Sequence, residues 1–238
     1  MEGKLTGIGV GPGDPELLTL KAVRAITESD ILILPGRSRD GCYAYRIVQK
    51  ALPEVAEKEF MLADFPMMKD KEVLKAAWEK TAEETCCLID AGKKVAFLTI
   101  GDPSVYATYH YIHRLVEQRG KKAEMISGVP SFCSAAARLG ISLGDGEEQI
   151  HIIPGSYGVE ETTALSGTRI YMKSGRELQH VKKVLKEEAA CREKNGEELQ
   201  VYAVTDCGLE NEMVMRGLEE WPEKLPYLTI VIVKVRKI

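Results

Sequence analysis

The stretch Val95-Ala96-Phe97-Leu98-Thr99-Ile100-Gly101-Asp102-Pro103-Ser104-Val105-Tyr106 decides the fold of this chain. Its first six residues are mostly apolar and predict a buried strand, and the Gly-Asp-Pro turn that follows leads into a helical pattern over residues 105–117. In open α/β sheets, ligands bind beyond the carboxyl ends of the strands. Glycine lets the backbone approach a ligand closely, and proline fixes the φ angle of the turn. The turn therefore indicates a ligand-binding site.

Strand and helix patterns alternate on both sides of this stretch. In the first half we predict further strands at 5–10, 31–34 and 121–126 and helices at 15–27, 41–51 and 70–91. This alternation predicts a mainly parallel sheet with helices on both faces. In the second half, strands at 149–153, 168–172, 200–204 and 227–235 surround one charged helix at 177–194, which indicates a mixed sheet. We therefore predict an α/β protein of two αβα domains, at residues 1–122 and 123–238.

The composition disfavours several classes of function. The 238 residues are 45% hydrophobic and 29% charged, with a net charge of −4 and no basic stripe, so we do not expect a nucleic-acid partner. The apolar runs have the length of strands, whereas a membrane helix needs about 20 residues. The amino terminus lacks an apolar signal core, and the six cysteines lack the spacing of a metal site. We expect a cytoplasmic protein with reduced thiols, no membrane contact and no metal.

A second glycine-rich turn, residues 7–14, follows the first strand and invites comparison with a dinucleotide-binding fold. That fold requires an acidic residue at the end of the second strand to bind the ribose hydroxyls. Here the second strand ends in Leu34-Pro35-Gly36-Arg37, and Asp30 lies at its opposite end. The sequence therefore disfavours NAD binding. It leaves open whether the turn binds another ligand or only lets a strand and a helix pack closely.

Four stretches together resemble the motifs of the tetrapyrrole (corrin/porphyrin) methylase family. They are residues 9–22, residues 101–106, Gly128-Val129-Pro130-Ser131-Phe132, and residues 205–212, the last being a degenerate match. Their order and spacing follow the family over essentially the whole chain. The resemblance implies a class III methyltransferase fold, S-adenosylmethionine held between the two domains, an open trough for a tetrapyrrole, and a homodimer. The first domain would supply tetrapyrrole and donor loops, and the second would bind the donor.

The resemblance also implies which residues contact S-adenosylmethionine, mostly through their backbone. They come from the first three motifs, from two later strands and from the degenerate fourth motif. These residues are Pro12, Ile100, Gly101, Asp102, Val105, Tyr106, Ser131, Phe132, Met172, Ala203, Cys207 and Thr229.

Two further stretches resemble the family members that methylate carbon 20 of precorrin-2 or cobalt-precorrin-2 in cobalamin (vitamin B12) synthesis. One is Phe65-Pro66-Met67 with Asp70 and the helix that contains Trp78, and the other is residues 106–111. Carbon 20 is therefore the expected methylation site, and the cobalt form is our preferred substrate. Methylation of another corrin carbon, a non-tetrapyrrole acceptor, and a tetrapyrrole-binding protein without catalysis are the alternatives.

The expected chemistry needs neither a metal nor a covalent enzyme intermediate, because the donor is an activated sulfonium and the acceptor carbon is nucleophilic. A proton leaves the methylated carbon afterwards, and Asp102, Tyr106, Asp64 and His110 are candidate acceptors. We prefer Asp102, or a water beside it, as the base, and we include Tyr106 as a second catalytic residue. The alternative is that Asp102 only caps backbone amides of the turn.

The substrate carries many carboxylates, so its binding site should offer basic side chains or backbone amides. Arg37 is the best candidate because it follows the second strand, next to a glycine turn. Tyr109, in the tyrosine-rich stretch, is a further expected substrate contact. The other basic candidates are Arg39, Lys69, Lys173 and Arg176. For any one of the five, Arg37 included, an ordinary surface charge is the favoured interpretation.

Overall fold

The computed structural model describes residues 2–66, 70–155, 158–173 and 177–237. These form two compact units, Met1–Pro130 and Ser131–Ile238. The predicted α/β architecture, with a parallel sheet followed by a mixed sheet, is confirmed. None of the helices in the described residues combines the length and the apolar character needed to cross a membrane.

The first unit is built on a parallel sheet. Its strands are β1 (Lys4–Gly9), β2 (Ile31–Pro35), β3 (Glu59–Ala63), β4 (Lys94–Thr99) and β5 (Ala123–Ile126). They lie in the order β3-β2-β4-β1-β5, and each neighbouring pair is parallel. Because β5 pairs with β1, it belongs to this sheet, and the first unit extends to Pro130 rather than ending at the predicted residue 122.

Helices cover this sheet. They are α1 (Leu20–Glu28), α2 (Tyr43–Ala51), α3 (Lys71–Asp90) and α4 (Tyr109–Gln118). On one face, buried side chains of α3 and α4, such as Ala82 and Ile112, form a core with Leu5 and Phe97 of the strands. Helix α1 packs against β1 and β4, and α2 packs against β2 and β4. The carboxyl edge of the sheet is left to the loops that follow the strands.

Two predicted helices begin later than the sequence pattern indicates. Asp14 does act as a cap, since its side chain accepts from the backbone N–H of Glu16 at 2.9 Å, but it caps only a short 3-10 turn. Leu18 is extended, and Thr19 then caps α1 through the N–H of Ala22 at 3.1 Å, so the predicted helix over 15–27 is two elements. Helix α4 starts at Tyr109 rather than residue 105, because Tyr106 has a left-handed φ of 47°.

The second unit contains a mixed sheet. Its elements are α5 (Ser131–Leu139), β6 (Ile150–Pro154), β7 (Thr168–Met172), α6 (Leu178–Glu193), β8 (Glu197–Thr205), β9 (Met213–Arg216) and β10 (Thr229–Lys237). The strand order is β6-β7-β10-β8-β9, with β6 and β7 parallel and the remaining pairs antiparallel. Helix α6 covers the face that carries Tyr171, Ala203 and Val231. Strand β9, like β3 of the first unit, is an edge strand that the sequence did not predict, because several of its side chains are exposed.

Candidate active site

Loops that follow β1, β4 and β5 meet at the carboxyl edge of the first sheet. These strands are neighbours, so residues 10–14, 100–106 and 127–130 leave the sheet side by side. Gly11 and Gly101 exchange two backbone hydrogen bonds, with N–H to O distances of 3.2 and 2.7 Å. This isolated antiparallel bridge joins the first two motif loops. Two of the turns singled out in the sequence are therefore one structural unit.

Glycines let the three loops touch backbone to backbone. A Cβ atom on Gly9 would lie 2.6 Å from both the carbonyl oxygen of Gly101 and the nitrogen of Gly128. A Cβ atom on Gly128 would lie 2.2 Å from the same carbonyl oxygen. Real Cβ atoms do not approach backbone atoms so closely, so neither position accepts another residue without displacement of a loop. Close packing of the loops is thus one reason for the glycines of the first and third motifs.

Asp102 holds two of these loops together. Its side chain is buried, and Oδ1 accepts from the backbone N–H of Ser104 at 2.8 Å and from the Ser104 hydroxyl. Oδ2 accepts from the backbone N–H of Gly128 at 3.0 Å, in the loop that follows β5. The predicted alternative, that Asp102 caps backbone amides, is therefore confirmed, and it extends beyond the turn itself.

The donor-contact residues predicted on the first unit all lie in two of these loops. Pro12 and Gly101 are buried, and Ile100 and Val105 are half-buried. Tyr106 keeps 44% of its surface exposed and has a φ of 47°, a backbone conformation that costs a residue with a side chain about 1–3 kcal/mol. Strain of this kind tends to persist where a loop must present specific groups. The structure thus brings the predicted residues of this unit to one edge.

Arg37 and Arg39 differ in their availability. Arg37 follows β2, its side chain is 78% exposed, and its Nε donates to Oδ2 of Asp64 at 3.0 Å. Arg39 instead places its guanidinium 5.5 and 5.6 Å from the ring centroids of Tyr45 and Phe60. Arg37 is the more exposed of the two, since only 38% of the Arg39 side chain is exposed. The predicted residues Met67, Lys69 and Arg176 lie outside the described residues.

Tyr109 does not fit the substrate contact predicted for it. Its side chain is fully buried, and its ring fills the space above Gly7, where a Cβ atom would lie 2.2 Å from the ring. Its hydroxyl donates to the carbonyl oxygen of Glu124 at 2.7 Å and lies 3.1 Å from Nδ1 of His113. Burial raises the pKa of Tyr109 far above its usual range. The sequence could not distinguish this core tyrosine from its exposed neighbour Tyr111.

Three of the six donor contacts predicted in the second unit, Met172, Ala203 and Thr229, lie on adjacent strands. Met172 ends β7 opposite Ile230, and Thr229 begins β10 opposite Thr205, which ends β8. The carboxyl ends of β7 and β8 therefore share one edge with the start of β10. Ala203 is fully buried in the core beneath α6, so only its backbone could contact a ligand.

Three further features mark this edge of the second sheet. Lys173 and Asp206, which directly follow β7 and β8, have φ values of 61° and 46°. Burial lowers the pKa of Lys173 and raises that of Asp206. The Oγ1 atom of Thr205 is buried and has no hydrogen-bond partner among the described residues. A buried polar atom of this kind is usually satisfied by water or a ligand.

The start of α5 and the loop after β8 are also joined. Ser131 and Phe132 begin α5, and one turn later the Ser134 hydroxyl lies 3.2 Å from Sγ of Cys207. Glu212 accepts from the backbone N–H of Gly208 at 2.7 Å and pairs with Arg138 of the same helix. Residues 205–212 therefore form a loop that is fixed to α5. Glu212, the acidic residue of the degenerate fourth motif, closes this loop through Gly208 and joins it to Arg138.

A family model described as "Tetrapyrrole (Corrin/Porphyrin) Methylases" matches residues 4–221 of this chain. The chain belongs to the tetrapyrrole methylase family. Two relatives match almost its whole length. A probable cobalt-precorrin-2 C(20)-methyltransferase of Methanocaldococcus jannaschii is 33% identical in an alignment of 235 positions that covers 97% of this chain and 96% of the relative. A precorrin-2 C(20)-methyltransferase of Sinorhizobium sp is 30% identical in an alignment of 244 positions that covers 97% of this chain and 95% of the relative.

Solved structures of tetrapyrrole methyltransferases share this fold. The X-ray structure of a cobalt precorrin-4 methyltransferase has a TM-score of 0.73 at 18% identity, covering 97% of this chain and 94% of its own. Uroporphyrin-III C-methyltransferase from Thermus thermophilus, crystallised with S-adenosylhomocysteine, has a TM-score of 0.67 at 21% identity, covering 98% and 97%. In this tetrapyrrole methylase, the motif loops that the sequence analysis singled out are thus elements of a fold found in related methyltransferases.

In this tetrapyrrole methylase, the contacts made by several motif residues at the two edges could not be predicted from the sequence. Thr205, Glu212 and Gly9 have their roles through contacts between distant stretches, which no local pattern shows. Asp64 was considered only as a base, yet it is the ion-pair partner of Arg37. For Asp64 a signal was available, since it follows an apolar stretch at a strand end, but β3 itself was not predicted.

Proposed function

We propose that this chain transfers a methyl group from S-adenosylmethionine to carbon 20 of cobalt-precorrin-2, or of precorrin-2, in cobalamin biosynthesis. The observation that carries the proposal is the junction of the three motif loops through the Gly11–Gly101 bridge and the Asp102–Gly128 hydrogen bond. The two relatives that match nearly the full chain are named for methylation at carbon 20. The relative with the higher identity is named for the cobalt form, which supports that form as the substrate.

The residues present fit S-adenosylmethionine as the donor. In the first unit, the loops after β1 and β4 present backbone groups at glycines. In the second unit, the buried Oγ1 of Thr205 has no hydrogen-bond partner among the described residues and so offers a polar group to a ligand. When bound, the donor supplies a methyl group on a positively charged sulfur. We propose that the donor is contacted by Pro12, Ile100, Gly101, Asp102, Val105, Tyr106, Ser131, Phe132, Met172, Ala203, Cys207 and Thr229.

Positioning is the main contribution that we propose for the protein. Holding two reactants in line can remove about 7–11 kcal/mol of a barrier, provided that the site is rigid. Asp102 contributes by fixing the loop after β4 to the loop after β5, with both of its carboxylate oxygens bound to donors of its own chain. We therefore assign a positioning role to Asp102. Tyr106, whose ring is half-exposed in the same loop, is the proposed side chain beside the carbon that loses its proton.

Arg37 is the proposed contact for an acidic side chain of the tetrapyrrole. A guanidinium can bind a carboxylate through two parallel hydrogen bonds, and such charge-assisted bonds are stronger than neutral ones. Arg37 donates to Asp64 through Nε, and 78% of its side chain is exposed. An incoming carboxylate can therefore share Arg37 with Asp64 or displace it.

Methyl transfer to defined substrates tests this function. The protein is incubated with S-adenosylmethionine carrying a ¹³C-labelled methyl group and with either precorrin-2 or cobalt-precorrin-2. A mass gain of one methyl and a ¹³C signal assigned to carbon 20 support the proposal, and the faster reaction identifies the substrate. A label on another carbon, or tight tetrapyrrole binding with no transfer, would overturn it.

We further propose that the protein works in the cytoplasm as a homodimer. The six cysteines are all free, which agrees with a reducing compartment, and the dimer follows from the family resemblance. Light scattering coupled to gel filtration tests the dimer, because a single monomeric mass across micromolar concentrations would contradict it.

A further inference from the structure

Helix α3 is twice as long as its neighbour α4. It has 20 residues against 10, which correspond to about 30 Å and about 15 Å of helix. All of its buried residues lie in its second half: Thr81, Ala82, Thr85, Cys86 and Ile89. Since α3 is the crossover helix after β3, its first half lies towards the carboxyl edge of the sheet. That half therefore extends past the core, on the side where the motif loops lie.

The apolar stripe of α3 continues into this projecting half. Leu74, Ala77 and Trp78 are half-buried and precede Thr81 and Ala82 at helical spacing. The remaining positions of residues 71–77 are exposed, and most of them are charged. None of these three side chains is fully buried, so the stripe keeps apolar surface exposed where it runs beyond the core.

Trp78 and Tyr111 mark the place where α3 leaves the core. Their ring centroids are 3.9 Å apart and their planes differ by 1°, so the two rings are stacked. Tyr111 is 46% exposed and lies in the first turn of α4, five residues after Tyr106. Nε1 of Trp78 is buried without a partner among the described residues, a desolvation cost that an aliphatic residue would avoid. The indole is thus placed for its ring rather than for a hydrogen bond.

We propose that Trp78 and Tyr111 are positioning residues for the tetrapyrrole. Their stack fixes the projecting half of α3 beside the loop after β4, and the stripe that includes Leu74 and Ala77 covers the apolar ring surface of the substrate. The inference rests on the proposed function. The tetrapyrrole is the ligand that we place on this stripe, because Tyr111, the stacking partner of Trp78, lies in α4, and α4 begins directly after the loop that carries Tyr106.

Kinetics of Tyr111→Ala test the proposal. Aromatic pairs contribute about 0.5–1.5 kcal/mol, so the KM for the tetrapyrrole should rise about two- to tenfold, while the Kd for S-adenosylhomocysteine stays unchanged. Tyr111→Phe keeps the stacked ring and should raise KM less than twofold. Tyr43→Ala, which removes an equally exposed tyrosine from α2, is the matched control. Equal loss of donor and tetrapyrrole affinity, or a lower melting temperature with KM unchanged, would overturn the proposal.

Hydrogen–deuterium exchange gives a readout that is independent of methyl transfer. Addition of cobalt-precorrin-2 together with S-adenosylhomocysteine should slow exchange over residues 71–77 in the wild type and much less in Tyr111→Ala. Absence of such protection in a wild type that methylates the substrate would overturn the role of α3 and leave the proposed function intact. Protection without methyl transfer would support the role of α3 and count against the function.

Discussion

The backbone N–H of Gly128 donates to Oδ2 of Asp102 over 3.0 Å, across two loops that follow different strands. The other carboxylate oxygen is held by Ser104 within its own turn. Gly128 also packs against the carbonyl oxygen of Gly101, so the same two loops are joined by a hydrogen bond and by close backbone packing. Asp102 of the Gly-Asp-Pro turn thus helps to fix the loop after β4 against the loop after β5.

Asp102→Asn should weaken donor binding and turnover together. The asparagine amide has one acceptor oxygen, so its NH₂ group must face the donors of either Ser104 or Gly128. A hydrogen bond to a charged group contributes about 1.5–3 kcal/mol, and one such bond is lost. We expect the Kd for S-adenosylhomocysteine to rise about tenfold, with a comparable fall in single-turnover rate. Calorimetry and a rapid-quench methyl-transfer assay measure the two quantities.

Ser104→Ala is the matched control for this variant. It removes the hydroxyl that donates to Oδ1 but keeps the backbone N–H and the bond to Gly128, so the loss of donor affinity should be smaller. A fall in turnover for Asp102→Asn with unchanged donor affinity would instead assign proton transfer to Asp102.

Strands β1, β2 and β4 of the first unit were predictable because each is a largely apolar run that ends at a glycine or proline turn. The turn after β4 could be recognised as a site because a parallel strand must deliver its loop to the carboxyl edge. Strand β3 escaped prediction because Phe60 and Leu62 are exposed at the sheet edge and its pattern is short. The break before α1 escaped because Asp14 and Thr19 both form caps, and either could begin a helix.

The site was predictable only as far as its loops. Sequence position could not show that Tyr109 lies above Gly7, since that contact joins residues about a hundred positions apart. Nor could it show that Arg39 lies over Tyr45 while Arg37 remains exposed. Tertiary packing decides which of two similar neighbouring side chains reaches a ligand, and local patterns carry no record of it.

Arg37→Ala should raise the KM for the tetrapyrrole about tenfold, through loss of one charge-assisted contact, and leave the Kd for S-adenosylhomocysteine unchanged. The reason is that Arg37 follows β2, whereas the two bridged glycine loops follow β1 and β4. Steady-state kinetics with varied tetrapyrrole, and calorimetry for the donor, check the two halves of this expectation.

The control for this variant is Arg114→Ala, which removes another exposed arginine of the same unit, from α4. It should change neither constant. If both arginine variants raise KM equally, general charge attraction rather than a specific contact explains the effect.

Tyr109→Phe should affect stability and not substrate binding. The change deletes the hydroxyl that donates to Glu124 and leaves the ring above Gly7 in place. We expect the free energy of unfolding to fall by about 1 kcal/mol, the usual contribution of one hydrogen bond. Urea unfolding and the KM for the tetrapyrrole are measured on the same preparation, and a raised KM at unchanged stability would restore the substrate contact.

Glu148 should make the second unit sensitive to acid. Its carboxylate accepts from Nζ of the buried Lys234 at 3.1 Å, from the backbone N–H of Asp145 and from the Thr168 hydroxyl. Burial alone would raise the pKa of Glu148, but these donors and the charge of Lys234 outweigh it and lower the pKa. A lowered folded-state pKa contributes stability above the unfolded-state value, about 4.3, and that stability is lost as the pH falls through the folded-state pKa.

Glu148→Gln should therefore cost about 2 kcal/mol of unfolding free energy at pH 7, and the difference from wild type should shrink steadily below about pH 4. For this measurement, Trp78→Phe is introduced into Glu148→Gln and into the reference protein that has Glu148. The buried Trp221 is then the only tryptophan, and its fluorescence reports unfolding of the second unit. Glu147→Gln is the control, because it changes the exposed neighbouring carboxylate. It should shift the urea midpoint little, both at pH 7 and below about pH 4. A difference between Glu148→Gln and wild type that stays constant with pH would show that Lys234 is held by other acceptors, such as the carbonyl oxygen of Ser142.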